Sequence, residues 1–392
     1  MPTQWTPSAR ELDDLELVLI GALDGPLVLQ LPHSTRAEET LELTDPEGLP
    51  LATYDVGTGA VTALAHPEFG PFRRYHRTPA EIRALHPNAL AVAVTAPLTR
   101  DAAELIHAAA RIEGAVALLL AYVGTGSPRG LSGPALVRAT LAAAELMPWG
   151  AEVVAVAAAR RDDAEADAAF RDDVALAFAD QVLHLPADER AELPDPVAAV
   201  VARDRPDRDR RGLVVFFTGL SGSGKSTLAR ALHDVLLERG DRTVTSLDGD
   251  VVRRHLSAGL GFSRADREAN IGRIGWVAAE VARHGGVALC SPIAPFDRTR
   301  REVRAMVEAA GGGFVLVHVS TPLAECERRD RKGLYASARA GEIPDFTGVS
   351  SPYEVPDDAE VTVDTTGRSI ASALDDVLET LHEAGWLRPL SH

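Results

Sequence analysis

The sequence predicts an α/β protein whose C-terminal half contains a doubly wound parallel sheet. Short apolar runs alternate with helical patterns over residues 86–190 and again over 212–386. A glycine-rich loop joins the first strand of the second series to its first helix, and a charged run separates the two series. Because 392 residues exceed what one hydrophobic core usually organises, we expect two or three domains.

The N-terminal half divides into two parts by composition. Residues 1–85 are expected to form a small β-rich domain, in which a turn at Asp45–Gly48 joins the last two of four strand candidates. These four candidates are Leu15–Ile20, Leu27–Leu31, Leu41–Leu43 and Leu51–Val56. Residues 86–195 are expected to form a Rossmann-like α/β domain. Its strand candidates are Leu90–Val94, Val116–Leu120 and Val153–Ala157, and its helix candidates are Asp101–Ile112 and Pro134–Leu146.

A third domain is expected at residues 212–392. The charged run Ala202–Arg211 contains a proline and lacks apolar periodicity, which predicts a solvated linker over residues 196–211. Strand candidates beyond it are Leu213–Thr218, Thr243–Leu247, Val287–Cys290, Phe314–Val319 and Val361–Asp364. Helices are expected to begin at Lys225, Arg264, Arg298 and Pro322. Five strands with covering helices make a complete doubly wound domain.

The overall charge limits the possible partners. A formal net charge of −17 disfavours binding to nucleic acid or to an anionic membrane, so an anionic ligand would need a local basic pocket. The N-terminus has no basic segment followed by an apolar one, and no apolar run reaches about eighteen residues, so we expect a cytoplasmic protein. Two cysteines, Cys290 and Cys326, offer neither a disulfide framework nor a zinc cluster.

Residues 219–227 fit the pattern G-x-x-x-x-G-K-[ST] in the context that this pattern requires. The motif follows the apolar run Val214–Phe217 and opens a helical pattern, so its backbone N–H groups and the helix N-terminus can bind phosphate. Lys225 would bridge the β- and γ-phosphates and Ser226 would bind Mg²⁺, which predicts a nucleoside triphosphate site. The motif comprises Gly219, Leu220, Ser221, Gly222, Ser223, Gly224, Lys225, Ser226 and Thr227.

The two lysines help to decide the class of triphosphate enzyme. Among 40 basic residues only Lys225 and Lys332 are lysine, and neither lies in the N-K-x-D motif that GTPases use to recognise guanine. A compact ammonium suits a tight loop where the wide guanidinium fork of arginine does not fit. A small-molecule kinase is therefore favoured.

Such a kinase needs carboxylates near the metal and the acceptor hydroxyl. Asp248 and Asp250 flank a glycine directly after the second strand, which is the expected position. An arginine-rich stretch follows and predicts a second anionic ligand. It contains Arg253, Arg254, Arg267, Asn270 and Arg273, of which Arg254 and Arg273 are interpreted as solvated.

The C-terminal half closely resembles adenylylsulfate kinase in a series of specific motifs that occur in the right order over residues 212–385. They are Leu247–Arg253, Leu260–Ser263, Arg267–Ile271, Arg329–Tyr335, Ala338–Ile343, Phe346–Val349 and Ser351–Glu354. The resemblance implies a P-loop kinase fold and transfer of the γ-phosphoryl group of ATP to the 3′-hydroxyl of adenosine 5′-phosphosulfate (adenylylsulfate). Mg²⁺ with ATP as co-substrate and a homo-oligomeric assembly are also implied.

The resemblance assigns a role to each candidate residue. Asp250 would act as base or orient the 3′-hydroxyl, Asp248 would organise the water ligands of Mg²⁺, and Lys332 would lie on a mobile segment that closes on the phosphates. Adenylylsulfate would be bound by two of these residues, Asp250 and Lys332, and by seven others, with the two phenylalanines on either side of the adenine. The seven are Arg253, Phe262, Arg267, Asn270, Ile293, Leu334 and Phe346. The sequence departs from the family at Ala294, which stands where some relatives have a serine that can be phosphorylated.

The N-terminal half resembles ATP sulfurylase only weakly, at Arg10–Leu17 and Arg77–Arg83. In the matching alignment, Thr99 and Ala102 occupy the positions of the two histidines that this family uses for adenylyl transfer. The arginine and asparagine of the sulfate clamp are likewise replaced, by Thr95 and Ala96, and the G-R-D-H motif has no counterpart. We therefore expect a nucleotidyltransferase-like domain without sulfurylase activity.

Three alternatives remain open. A bifunctional sulfurylase and kinase would need a substitute for the missing histidines. A non-catalytic nucleotide-binding regulator would have no need of Ser226 and Asp250. A P-loop kinase for a sugar or a nucleoside fits less well, because Phe262, Phe346 and the arginines favour an adenine-bearing anionic acceptor.

Overall fold

The computed structural model describes residues 3–65, 70–128, 130–186, 192–330 and 332–388. The chain forms two compact units, residues 1–205 and 206–392. The boundary between the units falls inside the run that the sequence predicts to be a linker. Among the described residues, no helix combines the length and the apolar character that crossing a membrane requires.

The first unit begins with a small sheet in the order β1-β2-β3-β4, in which β1 is parallel to β2 and the other pairs are antiparallel. The turn at Asp45–Gly48 joins β2 to β3, as predicted. The elements are β1 (Thr3–Trp5), α1 (Ala9–Leu19), β2 (Thr40–Thr44), β3 (Pro50–Asp55), β4 (Val61–Ala63) and α2 (Pro79–Leu85).

Two strand predictions in this region are wrong. The segment Leu15–Ile20 belongs to helix α1, because Ser8 and Glu11 form a capping box that starts a helix. Leu27–Leu31 forms no strand, although both of these end residues are buried. Instead of the row of backbone hydrogen bonds expected for a strand, the segment has one backbone hydrogen bond, from the Leu27 N–H to the Gly59 carbonyl oxygen.

The rest of the first unit is a four-stranded parallel sheet in the order β7-β6-β5-β8 with helices on both faces. This arrangement confirms the predicted α/β alternation. The elements are β5 (Ala89–Val94), α3 (Arg100–Glu113), β6 (Val116–Tyr122), α4 (Gly133–Ala144), β7 (Ala151–Val156), α5 (Ala164–Phe178), β8 (Gln181–Val182) and α6 (Asp195–Asp204).

Helix α6 corrects the predicted linker at residues 196–211. Val197 belongs to the same buried cluster as Leu136 of α4, and Val200, three residues further on, packs against that cluster. The segment therefore has an apolar helical face, which the charged residues that follow it made hard to recognise in the sequence. Only the run after α6 is irregular, apart from a short 3₁₀ turn at Arg208–Arg210. The predicted separation of a β-rich domain at residue 85 stays a prediction.

The second unit contains a five-stranded parallel sheet in the order β10-β11-β9-β12-β13. All five strand predictions for this unit are confirmed, whereas α8, α12 and α13 were not predicted. The elements are β9 (Leu213–Thr218), α7 (Lys225–Arg239), β10 (Val244–Leu247), α8 (Gly249–His255), α9 (Arg264–Arg283), β11 (Val287–Cys290), α10 (Asp297–Ala309), β12 (Gly313–Val319), α11 (Leu323–Arg329), α12 (Leu334–Arg339), β13 (Val361–Val363) and α13 (Ile370–Glu383).

The central strand β9 shows why this sheet is doubly wound. Leu213, Val215 and Phe217 pack against α7 and α13 on one face, and Val214 and Phe216 pack against α9 and α10 on the other. Both faces of β9 are covered, so this strand is apolar without interruption from Leu213 to Phe217. In such sheets ligands bind at the carboxyl edge, where the loops after β9, β10 and β11 meet.

Candidate active site

The loop between β9 and α7, residues 219–224, is called the phosphate loop here. Gly219 has φ = 146°, and a Cβ atom there would lie 2.4 Å from the carbonyl oxygen of Val319. Gly224 has φ = 106° and directly precedes the first residue of α7. Both positions therefore require glycine, and the loop turns sharply enough for α7 to direct its N-terminus into the site.

Lys225, the first residue of α7, is 7% exposed. Its Nζ donates a hydrogen bond to the Leu220 carbonyl oxygen at 2.6 Å, so the side chain folds back along the phosphate loop. Burial lowers the pKa of Lys225 from 10.5 to about 8, because the charged form loses its hydration. Lys225 is thus a poorly solvated cation that lies along the phosphate loop.

We expect Lys225→Met to stabilise the ligand-free protein by about 1–3 kcal/mol at pH 7, because it removes a buried charge. Below pH 8 the folded and unfolded chains both carry the charge, and the cost of burying it is fully present. As the pH rises from 8 towards 10.5 the folded chain loses the proton first, so the advantage of the variant should shrink.

Urea unfolding of the full chain at pH 7 and pH 9.5 measures this difference. Lys332→Met is the matched control, because the Lys332 side chain is 61% exposed and carries no comparable burial cost. A Lys225→Met variant that is less stable than the wild type at pH 7 would contradict the argument.

Asp248 follows β10 and lies at the centre of a small oxygen cluster. Its Oδ2 accepts hydrogen bonds from Ser226 Oγ at 2.8 Å and from Ser291 Oγ at 3.1 Å, while its Oδ1 accepts one from the Asp250 N–H at 3.0 Å. Burial opposes ionisation, but these hydrogen bonds outweigh it and lower the pKa of Asp248. A carboxylate beside a hydroxyl at the start of α7 is a donor set that Mg²⁺ accepts, so these residues fit that ion.

Ser291 was not identified from the sequence. It follows β11, which lies between β9 and β10 in the sheet, and this order brings its hydroxyl to Asp248. The strand order that makes them neighbours cannot be read from their separation of 43 residues. A polar residue directly after a buried strand is the one signal that was available.

Asp250 lies in the first turn of α8 and forms an ion pair with Lys332. Both side chains are largely exposed to solvent, and the pair joins residues 82 positions apart. The structure therefore brings together the second carboxylate and the second lysine that the sequence singled out.

One arginine, Arg253, lies near the Asp250 carboxylate and is paired with an aromatic ring. Arg253 donates to the Gly261 carbonyl at 2.9 Å, and its guanidinium carbon lies 4.4 Å from the centroid of the Phe262 ring. The Phe262 side chain is 64% exposed, which leaves the other side of the ring free to stack. An exposed aromatic ring beside a cation suits a planar anionic ligand.

Helix α9 contributes Arg267 and Asn270. Arg267 donates to Thr347 Oγ1 at 3.1 Å and to Ser351 Oγ at 3.2 Å. Asn270 is 4% exposed, and its Oδ1 has no hydrogen-bond partner among the described residues; the same holds for Arg267 Nε. Unpaired buried polar atoms are costly, so both groups indicate a place for a ligand or ordered water.

The remaining predicted residues lie around the phosphate loop. Phe346 makes an edge-to-face contact with Tyr335, with ring centroids 5.0 Å apart. The Ile293 carbonyl oxygen accepts a hydrogen bond from Thr218 Oγ1 at 2.7 Å, and Leu334 is the first residue of α12. Phe262 and Phe346 contact different partners, so their predicted joint role around an adenine stays a prediction.

Arg329 is a further residue whose contacts the sequence did not indicate. It donates to Thr365 Oγ1 at 2.8 Å and to the Gly222 carbonyl oxygen at 3.4 Å. Thr365 Oγ1 in turn donates to the Ser223 carbonyl at 2.9 Å. The loop after β13 and the end of α11 therefore fix the outer side of the phosphate loop.

The parallel sheet, the phosphate loop with its buried lysine and the two carboxylates define a P-loop kinase. A profile of the family "Adenylylsulphate kinase" matches residues 211–364. A hexameric APS kinase from Thiobacillus denitrificans is similar over 99% of this chain and 94% of its own, with 30% identity and a TM-score of 0.78. The chain belongs to the adenylylsulphate kinase family, and the family prediction is confirmed.

Curated relatives include proteins named sulfate adenylyltransferase. The one from Aspergillus terreus is 43% identical over 203 residues, which are 52% of this chain and 35% of the relative. The one from Phaeosphaeria nodorum is 46% identical over 194 residues, or 50% of this chain and 34% of the relative. The chain thus spans about a third of the length of the curated relatives it matches.

Proposed function

We propose that this protein transfers the γ-phosphoryl group of ATP to the 3′-hydroxyl of adenylylsulfate, giving 3′-phosphoadenosine 5′-phosphosulfate. One observation carries the proposal. A phosphate loop with a buried lysine lies at the same sheet edge as the Asp248 and Asp250 carboxylates, and an arginine and an exposed ring flank them. The phosphate loop and its lysine suit a triphosphate donor, and the neighbouring arginine and exposed ring suit an acceptor that is both anionic and aromatic.

The residues divide the work of phosphoryl transfer, which depends mainly on positioning and charge neutralisation. The phosphate-loop N–H groups and Lys225 would hold the β- and γ-phosphates. Ser226 would bind Mg²⁺ directly and Asp248 through water, and Mg²⁺ when bound supplies positive charge to the phosphate oxygens. This assignment is supported by the hydrogen bond between Ser226 and Asp248.

Asp250 would accept the proton of the 3′-hydroxyl, or orient it, as the new O–P bond forms and the bond to ADP breaks. Lys332 would leave its ion pair with Asp250 and bind the phosphate groups instead. Ala294 has no hydroxyl, so a phosphoserine intermediate at that position is impossible and direct in-line transfer is proposed.

The acceptor would be recognised by charge and by stacking. Arg253, Arg267 and Asn270 would bind the phosphosulfate and the ribose, which would also supply partners for the unpaired atoms of α9. Phe262 and Phe346 would stack on the adenine, with Ile293 and Leu334 beside them.

We expect Phe262→Ala to raise the KM for adenylylsulfate about tenfold or more, because stacking of a base on an aromatic ring contributes about 1–3 kcal/mol. The KM for ATP should change by about twofold or less, because the Phe262 ring would contact only the acceptor. Trp276→Ala is a matched control, because Trp276 is an aromatic residue of similar exposure, 63%, on the neighbouring α9. Equal effects of the two substitutions would contradict the stacking role.

The first unit is proposed to lack sulfurylase activity. Thr99, at one of the positions that sulfurylases fill with histidine, accepts a hydrogen bond from the Ala102 N–H and caps α3. A short hydroxyl that caps a helix cannot replace an imidazole that stabilises phosphate. Sulfate-dependent release of pyrophosphate from ATP would contradict this proposal and favour the bifunctional alternative.

We further infer that the protein self-associates. The support is the similarity over nearly the whole chain to an APS kinase described as hexameric. Sedimentation at micromolar concentration should give a mass of at least twice 41.6 kDa, the mass of one chain. A single species at the mass of one chain would contradict this inference.

The experiment that tests the proposed function is ADP release with Mg²⁺, ATP and a panel of acceptors. ADP should form rapidly with adenylylsulfate and slowly with AMP, gluconate or adenosine. Equal rates with gluconate or with adenosine would favour a kinase for a sugar or a nucleoside, and tight binding without any ADP would favour a regulator.

A further inference from the structure

Tyr335 is the last residue of the motif Arg329–Tyr335, and it makes contact with both sides of the candidate site although neither the motif nor the proposed function gives it a role. It lies in the first turns of α12 and is 3% exposed. Its hydroxyl donates a hydrogen bond of 2.8 Å to the carbonyl oxygen of Ser221 in the phosphate loop. Its ring meets Phe346 edge to face, with centroids 5.0 Å apart and an interplanar angle of 80°.

A second contact joins the same two parts of the site. Gly348 has φ = 91°, and a Cβ atom there would lie 3.0 Å from Leu220 Cδ2, so the segment 346–348 packs closely on the phosphate loop. Leu220 is also the residue whose carbonyl accepts the hydrogen bond from Lys225. Between Phe346 and Gly348, Thr347 accepts a hydrogen bond from Arg267 on the acceptor side.

We propose that Tyr335 is a positioning residue that couples the acceptor-binding ring of Phe346 to the phosphate loop. The inference rests on the function proposed above, in which Phe346 stacks on the acceptor base. Edge-to-face contacts between aromatic rings are directional, so a base that fixes Phe346 also fixes the ring of Tyr335. The hydroxyl of Tyr335 then holds the Ser221 carbonyl, and with it the peptide groups that would bind phosphate.

This arrangement makes the affinities for the two ligands interdependent. A ligand that orders Phe346 favours the ordered phosphate loop, and by linkage the donor nucleotide favours acceptor binding by the same factor. Tyr335→Phe keeps the ring and its contact with Phe346 but removes the single hydrogen bond to the loop. This variant therefore tests the hydrogen bond that would link the two ligand sites without changing the packing of the two aromatic rings.

The test is calorimetric titration of the full chain with an ATP analogue whose β–γ bridge cannot be cleaved, with and without saturating adenylylsulfate. We expect adenylylsulfate to strengthen binding of the analogue in the wild type. In Tyr335→Phe this enhancement should fall roughly two- to tenfold, the value of one hydrogen bond of this kind.

Tyr122→Phe is the matched control. Tyr122 is a buried tyrosine in the first unit whose hydroxyl donates to the Arg171 carbonyl at 2.7 Å, so the substitution removes the same kind of bond elsewhere. The control should keep the wild-type enhancement even if its melting temperature falls by as much as that of Tyr335→Phe.

An enhancement in Tyr335→Phe equal to that of the wild type would overturn the inference and leave the proposed function intact. So would a wild type that binds both ligands independently. A wild type that does not bind adenylylsulfate would overturn the proposed function, and the inference with it.

Discussion

Replacement of Asp250 by asparagine is expected to lower kcat with adenylylsulfate by roughly 10²–10⁴, the usual contribution of a general base. The amide has nearly the same shape as the carboxylate but cannot take a proton. The KM for ATP should change by about twofold or less, because Asp250 would contact the acceptor rather than the triphosphate. Steady-state ADP release at saturating ATP measures both constants.

This substitution should have little effect on folding. Asp250 and Lys332 are both largely exposed, and exposed ion pairs contribute about 0–1 kcal/mol. Asp375→Asn, at an exposed position on α13, is the control for loss of one surface carboxylate from the same unit. If Asp250→Asn has the same kcat as Asp375→Asn, Asp250 does not act as the base and the proposed mechanism is wrong at this residue.

Replacement of Lys225 by methionine should lower kcat by roughly 10²–10³ or more, because it removes a preorganised cation from the developing negative charge. The same variant should therefore have a lower kcat and a higher folding stability than the wild type. This combination is usual when a charge needed for activity destabilises the folded protein because it is buried. Measurement of both quantities on one preparation excludes unfolding as the reason for lost activity.

Lys225→Arg tests why lysine is present here at all. The side chain is 7% exposed and folds tightly along the phosphate loop, so the wider guanidinium fork should not fit without displacing Leu220. We expect the arginine variant to recover less than about a tenth of wild-type kcat, a difference of at least about 1.4 kcal/mol. Full recovery would mean that any positive charge suffices at this position.

The sequence predicted the second unit better than the first for a physical reason. Strands of a sheet covered on both faces are continuous apolar runs with polar loops between them, and β9 and β12 are clear examples. Leu15–Ile20 is also apolar apart from Glu16, but the capping box at Ser8 starts a helix that includes this segment as far as Leu19. Short apolar runs alone do not distinguish the two structures.

The candidate site was predictable where its chemistry lies in contiguous residues. The phosphate loop and Asp248 and Asp250 occupy the expected positions after β9 and β10, because strand ends fix where such residues lie. The contacts of Ser291 with Asp248 and of Tyr335 with Ser221 join residues 43 and 114 positions apart. Such contacts depend on strand order and on side-chain direction, which no local pattern encodes.

The measurement that tests the central claim most directly follows the γ-phosphoryl group itself. The protein is incubated with adenylylsulfate, Mg²⁺ and ATP labelled in the γ-phosphate, and the labelled product is located by mass spectrometry and ³¹P NMR. The account predicts one labelled product, with a new phosphate ester on the ribose 3′-oxygen, which Asp250→Asn forms far more slowly. Label that appears only in inorganic phosphate, or on a different acceptor atom, would contradict it.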